Sequence, residues 1–437
     1  MKEILIISLF ALYTIINFCL SVIDMAGASF YDIAAAKKLK KRAAGRKARN
    51  QAFPMISVII PAFNEEKVIK RCIDSVLRSQ YPNFEVIVSD DGSTDKTARI
   101  VKTWIKVHSK GKMITLVSDG VNRGRGGALN QALKKANGTL IMALDADCTI
   151  QKDTLQNAAE HFKDRQVAAL AANVKIMPHL SVLGLLQQFE WVTSFRSKKF
   201  NSLVNAEYII GGAGATYRKS VLTALHGFDE TMLTEDIDMS LRIASKGNKA
   251  YHLRYASDVI VMTEHVPSYR GLFRQRFRWK LGSLQALFAS RHLFFSRNPR
   301  YTKTLCWYRL PLVLWSELML LFEPFIFVYF IYLAVVLRTP VMFIVSWGAL
   351  TVMLFFAIWG DDQLTTGQKA RFSMFMPTMY LLYYILSSIQ VLAVIKAAVS
   401  HRIIRGKKSI RGAWVSPERI ASWSEHLPCL HLVSMPY

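Results

Sequence analysis

The hexapeptide ISVIIP, residues 56–61, is a nearly continuous apolar run, and the polar loop Ala62-Phe63-Asn64-Glu65 follows it directly. Apolar residues at consecutive positions, rather than alternate ones, are typical of a strand buried on both faces. An apolar face with helical spacing comes next, through Val68, Cys72 and Val76. This stretch therefore predicts the first strand–helix unit of an open α/β sheet.

The same alternation of strands and helices continues to about residue 144. We predict strands over 84–89, 113–117 and 139–144, and helices near 94–107 and 128–136. This order is typical of a mostly parallel sheet, whose ligands bind beyond the carboxyl ends of the strands. Asp90-Asp91 and Asp145-Ala146-Asp147 both follow predicted strand ends. We therefore expect a ligand site at that edge of the sheet.

The composition indicates a membrane protein with a basic surface. The chain has 437 residues, 51% of them hydrophobic, and a formal net charge of +25. Its length suits two or three domains of ~150 residues. The basic residues cluster after an apolar N-terminal segment and after the last apolar segment, a pattern that marks the cytoplasmic flank of membrane helices and attracts anionic lipid. We expect a lipid bilayer as partner and no nucleic acid, although a nucleic-acid patch is the minor alternative.

The apolar segments predict several membrane spans. Ile4–Ile23 is long enough for a ~30 Å hydrocarbon core, and because Asp24 and then a basic run follow it, it predicts an uncleaved anchor. Three further apolar stretches are 310–336, 341–359 and 375–399. One span before the soluble part and three after it would put the basic tail outside the cell, against the positive-inside rule. Either the tail is an exception, or one proline-containing stretch is re-entrant or interfacial.

These features predict a five-part organisation of the chain. Two amphipathic stretches, 180–200 and 269–293, suit a membrane surface, although helices buried in a core would look the same. Five scattered cysteines without a CxxC pair fit a reducing cytoplasm. The expected parts are a transmembrane anchor (1–30), a basic cytoplasmic linker (31–54), a cytoplasmic α/β domain with interfacial helices (55–300), transmembrane helices (301–400) and a basic tail (401–437).

Asp145-Ala146-Asp147 predicts a metal site. Carboxylates at positions i and i+2 of a strand end point to the same side. Mg²⁺ and Mn²⁺ prefer such oxygen ligands and commonly complete their shell with a diphosphate. We predict that Asp147 and Asp145 bind Mg²⁺ or Mn²⁺ together with a nucleotide donor.

The loops before this motif suit a nucleotide. Pro61, Ala62, Asn64 and Glu65 open a helix whose amides can bind polar groups, and Asp91 can accept hydrogen bonds from a base or ribose. A turn with a helix cap is the simpler interpretation of residues 90–95. Arg123 and Arg125 stand in the glycine-rich segment 122–128, which suits phosphate but also resembles a flexible loop.

Thr234-Glu235-Asp236 precedes an apolar helical pattern. Thr234 suits the N-cap, and acids in the first turn compensate the helix dipole. A carboxylate near a bound donor is also what deprotonation of an acceptor hydroxyl requires. We predict Asp236 as the general base and Glu235 as its support.

Gln275, Arg278 and Trp279 are spaced i, i+3 and i+4 and share one helical face. Arginine binds phosphate through paired hydrogen bonds, and an indole offers a flat wall to a sugar. The same pattern also occurs in helices that lie at headgroup depth. We predict that this face holds a diphosphate and a sugar.

In this order, the motifs resemble the processive family 2 glycosyltransferases, membrane enzymes that make cellulose, chitin, hyaluronan or poly-N-acetylglucosamine. The resemblance covers residues 56–279, the membrane region and the tail. The tail segment Trp414-Val415-Ser416-Pro417-Glu418-Arg419 is most similar to that of the branch that makes poly-β-1,6-N-acetylglucosamine. Two departures are Arg125, where many relatives have lysine, and one clear N-terminal span, where several have two.

The resemblance implies an α/β domain of the glycosyltransferase-A type, with a mostly parallel sheet, fused to an α-helical transmembrane domain. It implies an inverting enzyme that polymerises UDP-N-acetylglucosamine into a β-linked extracellular polysaccharide. The roles that it implies are uridine binding for Asp91, metal binding for Asp147, nucleotide or metal contact for Asp145, base catalysis for Asp236, diphosphate and acceptor contacts for Gln275, Arg278 and Trp279, proximity to donor and acceptor for Gly212, and gating for Trp414 and Arg419.

The same resemblance implies a multi-pass protein of the cell membrane with a cytoplasmic catalytic domain, and it admits a small accessory membrane subunit as partner. Other interpretations stay open. A hyaluronan-, cellulose- or chitin-type synthase, or an enzyme that adds one sugar to a lipid, would share the catalytic motifs. A non-enzymatic membrane protein that senses nucleotide sugars is a third possibility, separated from the others by donor turnover.

Overall fold

The computed structural model describes residues 2–45, 53–179, 181–336, 338, 340–400 and 419. Within these residues the strands are β1 (Ile56–Ala62), β2 (Phe84–Asp90), β3 (Ile114–Ser118), β4 (Leu140–Ala143), β5 (Thr149–Ile150), β6 (Val167–Ile176), β7 (Ala215–Arg218) and β8 (His252–Thr263). The helices are α1 (Lys2–Gly45), α2 (Ile69–Leu77), α3 (Thr97–Val107), α4 (Gly124–Lys135), α5 (Thr154–His161), α6 (Val182–Leu203), α7 (Lys219–Ala224), α8 (Glu235–Ser245), α9 (Tyr269–Ala289), α10 (Leu310–Leu320), α11 (Glu323–Val335), α12 (Val341–Trp359) and α13 (Thr366–Val399).

The strands form one mixed sheet in the order β3-β2-β1-β4-β7-β6-β8-β5. The four strands β3, β2, β1 and β4 are parallel, as the alternation of strands and helices predicts. All seven residues of β1 are buried, which explains its uninterrupted apolar sequence. The carboxyl ends of β1, β2 and β4 therefore meet at one edge.

The second half of the sheet departs from a parallel arrangement. Strand β7 is antiparallel to β4 and β6, and β5 is antiparallel to β8, whereas β6 and β8 are parallel. The sequence of β6, VAALAANVKI, is rich in alanine, which has low β-propensity. The pattern of apolar residues therefore marks the first four strands much more clearly than the last four.

The amphipathic helices α6 and α9 join the sheet to the C-terminal helices. On α6, Leu186 and Phe189 are buried against Leu354, Phe372 and Met376 of α12 and α13. On α9, Leu272 packs in a cluster with Leu386 of α13. The apolar faces predicted for a membrane surface are thus buried inside the protein at these positions.

Helix α1 continues through the predicted boundary between anchor and linker at residue 30. The Tyr31 hydroxyl donates to the carbonyl oxygen of Tyr255 at 3.0 Å, and Arg196 Nη1 donates to Asp32 at 2.9 Å. By length and composition, Ile15–Lys37 qualifies as a membrane span. Because Tyr31 contacts strand β8 and Asp32 contacts helix α6, the part of α1 that precedes these two residues is the better membrane segment.

The C-terminal helices include further segments that are apolar enough to cross a membrane. Within the described residues, Leu381–Val399 is long enough to cross a membrane alone. The segments Thr304–Leu320 and Glu323–Val335, which contain α10 and α11, are bent by 50° at their junction and are long enough only as a pair. Pro324, at the start of α11, cannot continue the preceding helix. Helix α12 is a shorter apolar helix. The described chain thus has two or three candidate spans, and the proline-containing stretch is broken.

Candidate active site

The loop after β1 is tied to the loop after β2. Asn64 adopts a left-handed conformation with φ 55°. Its Oδ1 accepts a hydrogen bond from the Thr94 amide at 2.8 Å, and its own amide donates to Ser93 Oγ at 2.9 Å. Pro61 and Ala62 pair with Ser89 and Asp90 at the ends of the two strands. Asn64 therefore connects the two loops at this edge of the sheet. Its position in the sequence did not reveal these contacts with Ser93 and Thr94.

Asp91 holds the start of α4. Its Oδ1 accepts a hydrogen bond from the Arg123 amide and its Oδ2 accepts one from the Gly124 amide, each at 2.8 Å. Burial raises the pKa of the Asp91 carboxyl to about 6, although the two amides act in the opposite direction. The Arg123 guanidinium pairs with Asp119 at the surface. Helix α4 begins at Gly124, four residues before the predicted start, so the glycine-rich segment forms its first turn.

Arg125 connects two of the predicted motifs. Its Nε and Nη2 donate to Asp145 Oδ1 at 2.8 and 2.6 Å, and its Nη1 donates to Glu235. Burial alone would lower the pKa of this guanidinium, but Asp145 and Glu235 raise it well above its ordinary value. A Cβ on Gly212 would lie 2.9 Å from Arg125 Nη2. The predicted phosphate ligand is thus paired with two carboxylates of the protein, and Gly212 leaves room for it.

Helix α8 begins at Glu235, with Thr234 at the N-cap position as predicted. The Thr234 hydroxyl, however, does not cap the helix, and its buried Oγ1 has no hydrogen-bond partner among the described residues. Gly282 of α9 packs directly on it, since a Cβ at Gly282 would overlap the Thr234 side chain. This close packing holds α9 against the start of α8.

Asp236 has the properties of a base that works near neutral pH. Its side chain is partly buried at the start of α8. Burial, and then the charge of Glu235, raise the pKa of Asp236 to about 6, while Arg125 and Arg278 act in the opposite direction. At pH 7 most of this carboxylate is ionised and able to accept a proton.

Arg278 lies beside these acidic groups. Burial lowers the pKa of its guanidinium, and Glu235, Asp236 and Asp145 oppose that effect. In the part of the chain that the structure describes, Arg278 forms no hydrogen bond or ion pair. Its donors are therefore available to the oxygens of a diphosphate.

The remaining carboxylates form a site that suits a cation. The ligand atoms of Asp145, Asp147 and Cys148 lie within 4.8 Å of one another. Arg419 Nη1 donates to Asp147 Oδ2 at 2.6 Å, and Arg419 Nε and Nη2 donate to Glu65 at 2.8 and 2.6 Å. Burial, followed by the charge of Asp147, raises the pKa of the Cys148 thiol. The carboxylate oxygens, rather than a thiolate, are thus the donors that fit a divalent ion.

Most of the predicted site residues meet at this edge of the sheet. Sequence reasoning missed Thr263, whose hydroxyl donates to Asp147 Oδ2 at 3.3 Å, and Arg71, whose Nη2 donates to Glu264 at 2.8 Å. It also missed Arg276, whose guanidinium stacks on Trp279. Trp414 lies outside the described residues. The signal for Thr263 and Glu264 was a threonine–glutamate pair at the end of a β-rich stretch.

Part of this chain matches a known protein family and several curated proteins. Residues 57–225 match the family described as Glycosyl transferase family 2. A poly-β-1,6-N-acetyl-D-glucosamine synthase of Staphylococcus epidermidis is 31% identical over 243 residues, 55% of this chain and 57% of that protein. The enzyme of the same name from Staphylococcus aureus strain COL is 30% identical over 274 residues, 61% of this chain and 64% of that protein. The chain thus matches somewhat less than two thirds of the length of these relatives.

A solved structure shares the fold. It is a mannosyltransferase from Pyrobaculum calidifontis in complex with GDP-mannose and Mn²⁺, with a TM-score of 0.52 and 23% identity, covering 89% of this chain and all of that one. The similarity, with the sheet order, confirms the predicted α/β fold of the glycosyltransferase-A type.

Proposed function

We propose that this protein is a membrane-embedded, inverting glycosyltransferase that polymerises UDP-N-acetylglucosamine into a β-linked extracellular polysaccharide, because residues 57–225 match the family described as Glycosyl transferase family 2. The observation that carries the proposal is the bridge made by Arg125 between Asp145 and Glu235. This bridge brings Asp145-Ala146-Asp147, the motif suited to a metal and a diphosphate, next to Thr234-Glu235-Asp236, the motif suited to proton transfer. The names of the relatives at 30–31% identity support the choice of sugar and product.

We assign metal binding to Asp147 and Asp145. Their carboxylates are close together and already accept hydrogen bonds from two guanidinium groups, which fits a site built for positive charge. Mg²⁺ or Mn²⁺ bound there supplies a Lewis acid that offsets the charge of the departing diphosphate. Arg278 adds a second positive charge to the same leaving group.

Asp236 is the general base in this proposal. Its carboxylate removes the proton from the terminal hydroxyl of the growing chain, and that oxygen attacks the anomeric carbon of the donor. The bond from that carbon to the diphosphate breaks, and its electron pair leaves with UDP. Attack opposite the leaving group turns an α-linked donor into a β-linked product. Glu235 supports the base, and Arg125 balances the charge of Glu235.

The other predicted residues bind and orient the substrates. Asp91, with the Arg123 and Gly124 amides, fixes the loop proposed to hold uridine, next to Pro61, Ala62 and Asn64. Gln275 and Trp279 stand beside Arg278 on α9, where an indole face suits a sugar of the acceptor. Gly212 keeps space open near Arg125 and the donor.

Arg419 is proposed as the gating residue. Its guanidinium forms ion pairs with Glu65 and Asp147. A divalent ion held by Asp147 would compete with Arg419 for that carboxylate, and the diphosphate of the donor would offer the guanidinium another anionic partner. Arg419 would then bind the diphosphate in place of Asp147, and Trp414 of the same tail is proposed as a second gating residue.

A multi-pass arrangement in the cell membrane completes the proposal. Residues 1–30 form the anchor, 31–54 a basic segment, 55–300 the cytoplasmic catalytic domain, 301–400 the transmembrane helices and 401–437 the tail. Packing of α6 and α9 on α12 and α13 supports a catalytic domain seated on the membrane. A small accessory membrane subunit is compatible with it.

The test is to incubate membranes that contain the protein with Mn²⁺ or Mg²⁺ and a panel of labelled UDP-sugars, and to measure UDP release and product size. High-molecular-weight product from UDP-N-acetylglucosamine alone is the expected result. Short lipid-linked product would favour the single-addition enzyme. Absence of turnover with every donor, also in the presence of candidate membrane subunits, would contradict the proposal.

A further inference from the structure

Arg276 is a buried arginine that the catalytic proposal does not use. It stands on α9 between Gln275 and Arg278 and is 5% exposed. Its Nη2 donates to Glu190 Oε2 of α6 at 2.6 Å. Its Nε is buried without a hydrogen-bond partner among the described residues. One ion pair, rather than a full set of hydrogen bonds, therefore anchors the guanidinium.

The second contact of Arg276 is with Trp279. The guanidinium carbon lies 4.5 Å from the centroid of the indole ring. Arginine prefers to stack on an aromatic face, where charge and planar shape both contribute. With Arg276 held by Glu190, the stack restrains the orientation of the Trp279 ring, which is partly exposed.

The anchor extends to a C-terminal helix. The other carboxylate oxygen, Glu190 Oε1, accepts a hydrogen bond from Gln390 Nε2 of α13 at 3.2 Å. Gln390 lies within Leu381–Val399, which is long and apolar enough to cross a membrane. A polar group in such a segment is costly unless it has a partner, and it usually has a function. Gln390, Glu190, Arg276 and Trp279 thus form one connected series.

We propose that Arg276 is a positioning residue that sets the Trp279 indole for the sugar at the end of the growing chain, with Glu190 and Gln390 as its supports. This inference rests on the proposed function, because it requires a saccharide acceptor at Trp279. It also gives α6 and α13, which carry Glu190 and Gln390, a role in specificity for the acceptor. A shift of α13 relative to α6 would change the orientation of the ring that receives the acceptor.

The expected signature is a selective loss of acceptor binding. Arg276→Lys retains the charge opposite Glu190 but loses the planar stack. We expect it to raise the KM for an added β-1,6-linked N-acetylglucosamine pentasaccharide about tenfold, as loss of a partly desolvated cation–π contact would. The KM for the UDP-sugar should stay unchanged. Arg274→Lys, an exposed arginine on the same helix, is the matched control.

A double-substitution cycle separates positioning from general structural damage. In a Trp279→Phe background, Arg276→Lys should raise the acceptor KM much less than in the parent, because the ring that it orients has changed. Equal effects in both backgrounds, or equal increases in the KM for donor and the KM for acceptor, would overturn the inference.

Equilibrium binding of the pentasaccharide without donor, measured on the purified full-length protein, makes the test independent of turnover. Weaker binding by Arg276→Lys than by Arg274→Lys supports the inference even if the parent transfers no sugar, which would count against the proposed function alone. Identical affinities of parent and Arg276→Lys would overturn the inference alone. A parent that neither binds nor elongates the oligosaccharide would overturn both.

Discussion

Arg419 Nη1 lies 2.6 Å from Asp147 Oδ2, although 272 positions separate the two residues in the chain. The same guanidinium binds Glu65, which is almost fully buried. Burial alone would lower the pKa of Arg419, but Asp147 and Glu65 raise it above its ordinary value. A positive charge from the C-terminal tail thus occupies the carboxylate that is proposed to bind the metal.

This contact predicts competition between the tail and a divalent ion. Arg419→Ala should bind Mn²⁺ more tightly than the parent in the absence of donor, by about tenfold, which corresponds to about 1.4 kcal/mol. Polymer formation should fall, because the same residue is proposed to contact the diphosphate. Electron paramagnetic resonance of Mn²⁺ titrations measures the affinity. Arg254→Ala, which breaks a surface pair with Asp164, is the control, and equal affinities of all three proteins would refute the competition.

The pKa of Asp236 predicts the pH dependence of transfer. Burial and the Glu235 charge raise this pKa to about 6, and the base acts only when it is ionised. The value of kcat/KM should therefore be nearly constant above pH 7 and should fall toward a tenfold loss per pH unit below 6. Initial rates of UDP release between pH 5 and 8, measured at donor concentrations below KM at each pH, test this. A profile that is flat down to pH 5 would exclude Asp236 as the base.

The same shift predicts an effect on stability. A carboxyl group whose pKa is higher in the folded state than in the unfolded state contributes stability below its unfolded pKa, near 3.8, and that contribution is lost as pH rises through about 6. Asp236→Asn removes this unfavourable ionisation. Its apparent melting midpoint in detergent at pH 7.5 should be at or above that of the parent, and the difference should shrink toward pH 4. A marked decrease at pH 7.5 would mean that the ionised carboxylate stabilises the fold.

Arg125 should be required for both folding and turnover. Arg125→Gln leaves Asp145 and Glu235 without their buried partner, and breaking such a pair costs about 3–5 kcal/mol of unfolding free energy. Arg125→Lys keeps the charge but cannot reproduce the three hydrogen bonds to two carboxylates. We expect it to fold and to lose most of its activity. For stability, the control is Arg123→Gln, which breaks an exposed pair worth about 0–1 kcal/mol. A fully active Arg125→Lys enzyme would contradict the bridge as a catalytic requirement.

The sequence predicted the parallel half of the sheet, and it indicated the edge that carries the candidate site, for a physical reason. Strands buried on both faces need consecutive apolar residues, so β1 and β4 stand out, and acidic residues directly after them are conspicuous. The mixed half was harder, because β6 is alanine-rich and β5 has two residues. Its strands are determined by tertiary packing more than by local preference.

Side-chain partners were less predictable than positions. Arg125 has the composition of a phosphate ligand, and only the fold shows that Asp145 and Glu235 occupy its donors. Thr234 stands at an N-cap, yet Gly282 packs against its hydroxyl. Trp279 suggested a sugar contact, while the Arg276 stack depends on Glu190 from a helix 86 positions away. Such contacts join distant parts of the chain, and spacing within one motif carries no information about them.

The central claim is polymerisation of a sugar by a centre that uses Asp236 as its base. The most direct measurement compares parent, Asp236→Asn and the surface control Asp164→Asn in membranes with labelled UDP-N-acetylglucosamine, and records both donor binding and polymer formed. We expect polymer from the parent and the control, and at least a hundredfold loss in Asp236→Asn with donor binding retained. Full polymer synthesis by Asp236→Asn, or no polymer from the parent with any UDP-sugar, would contradict the account.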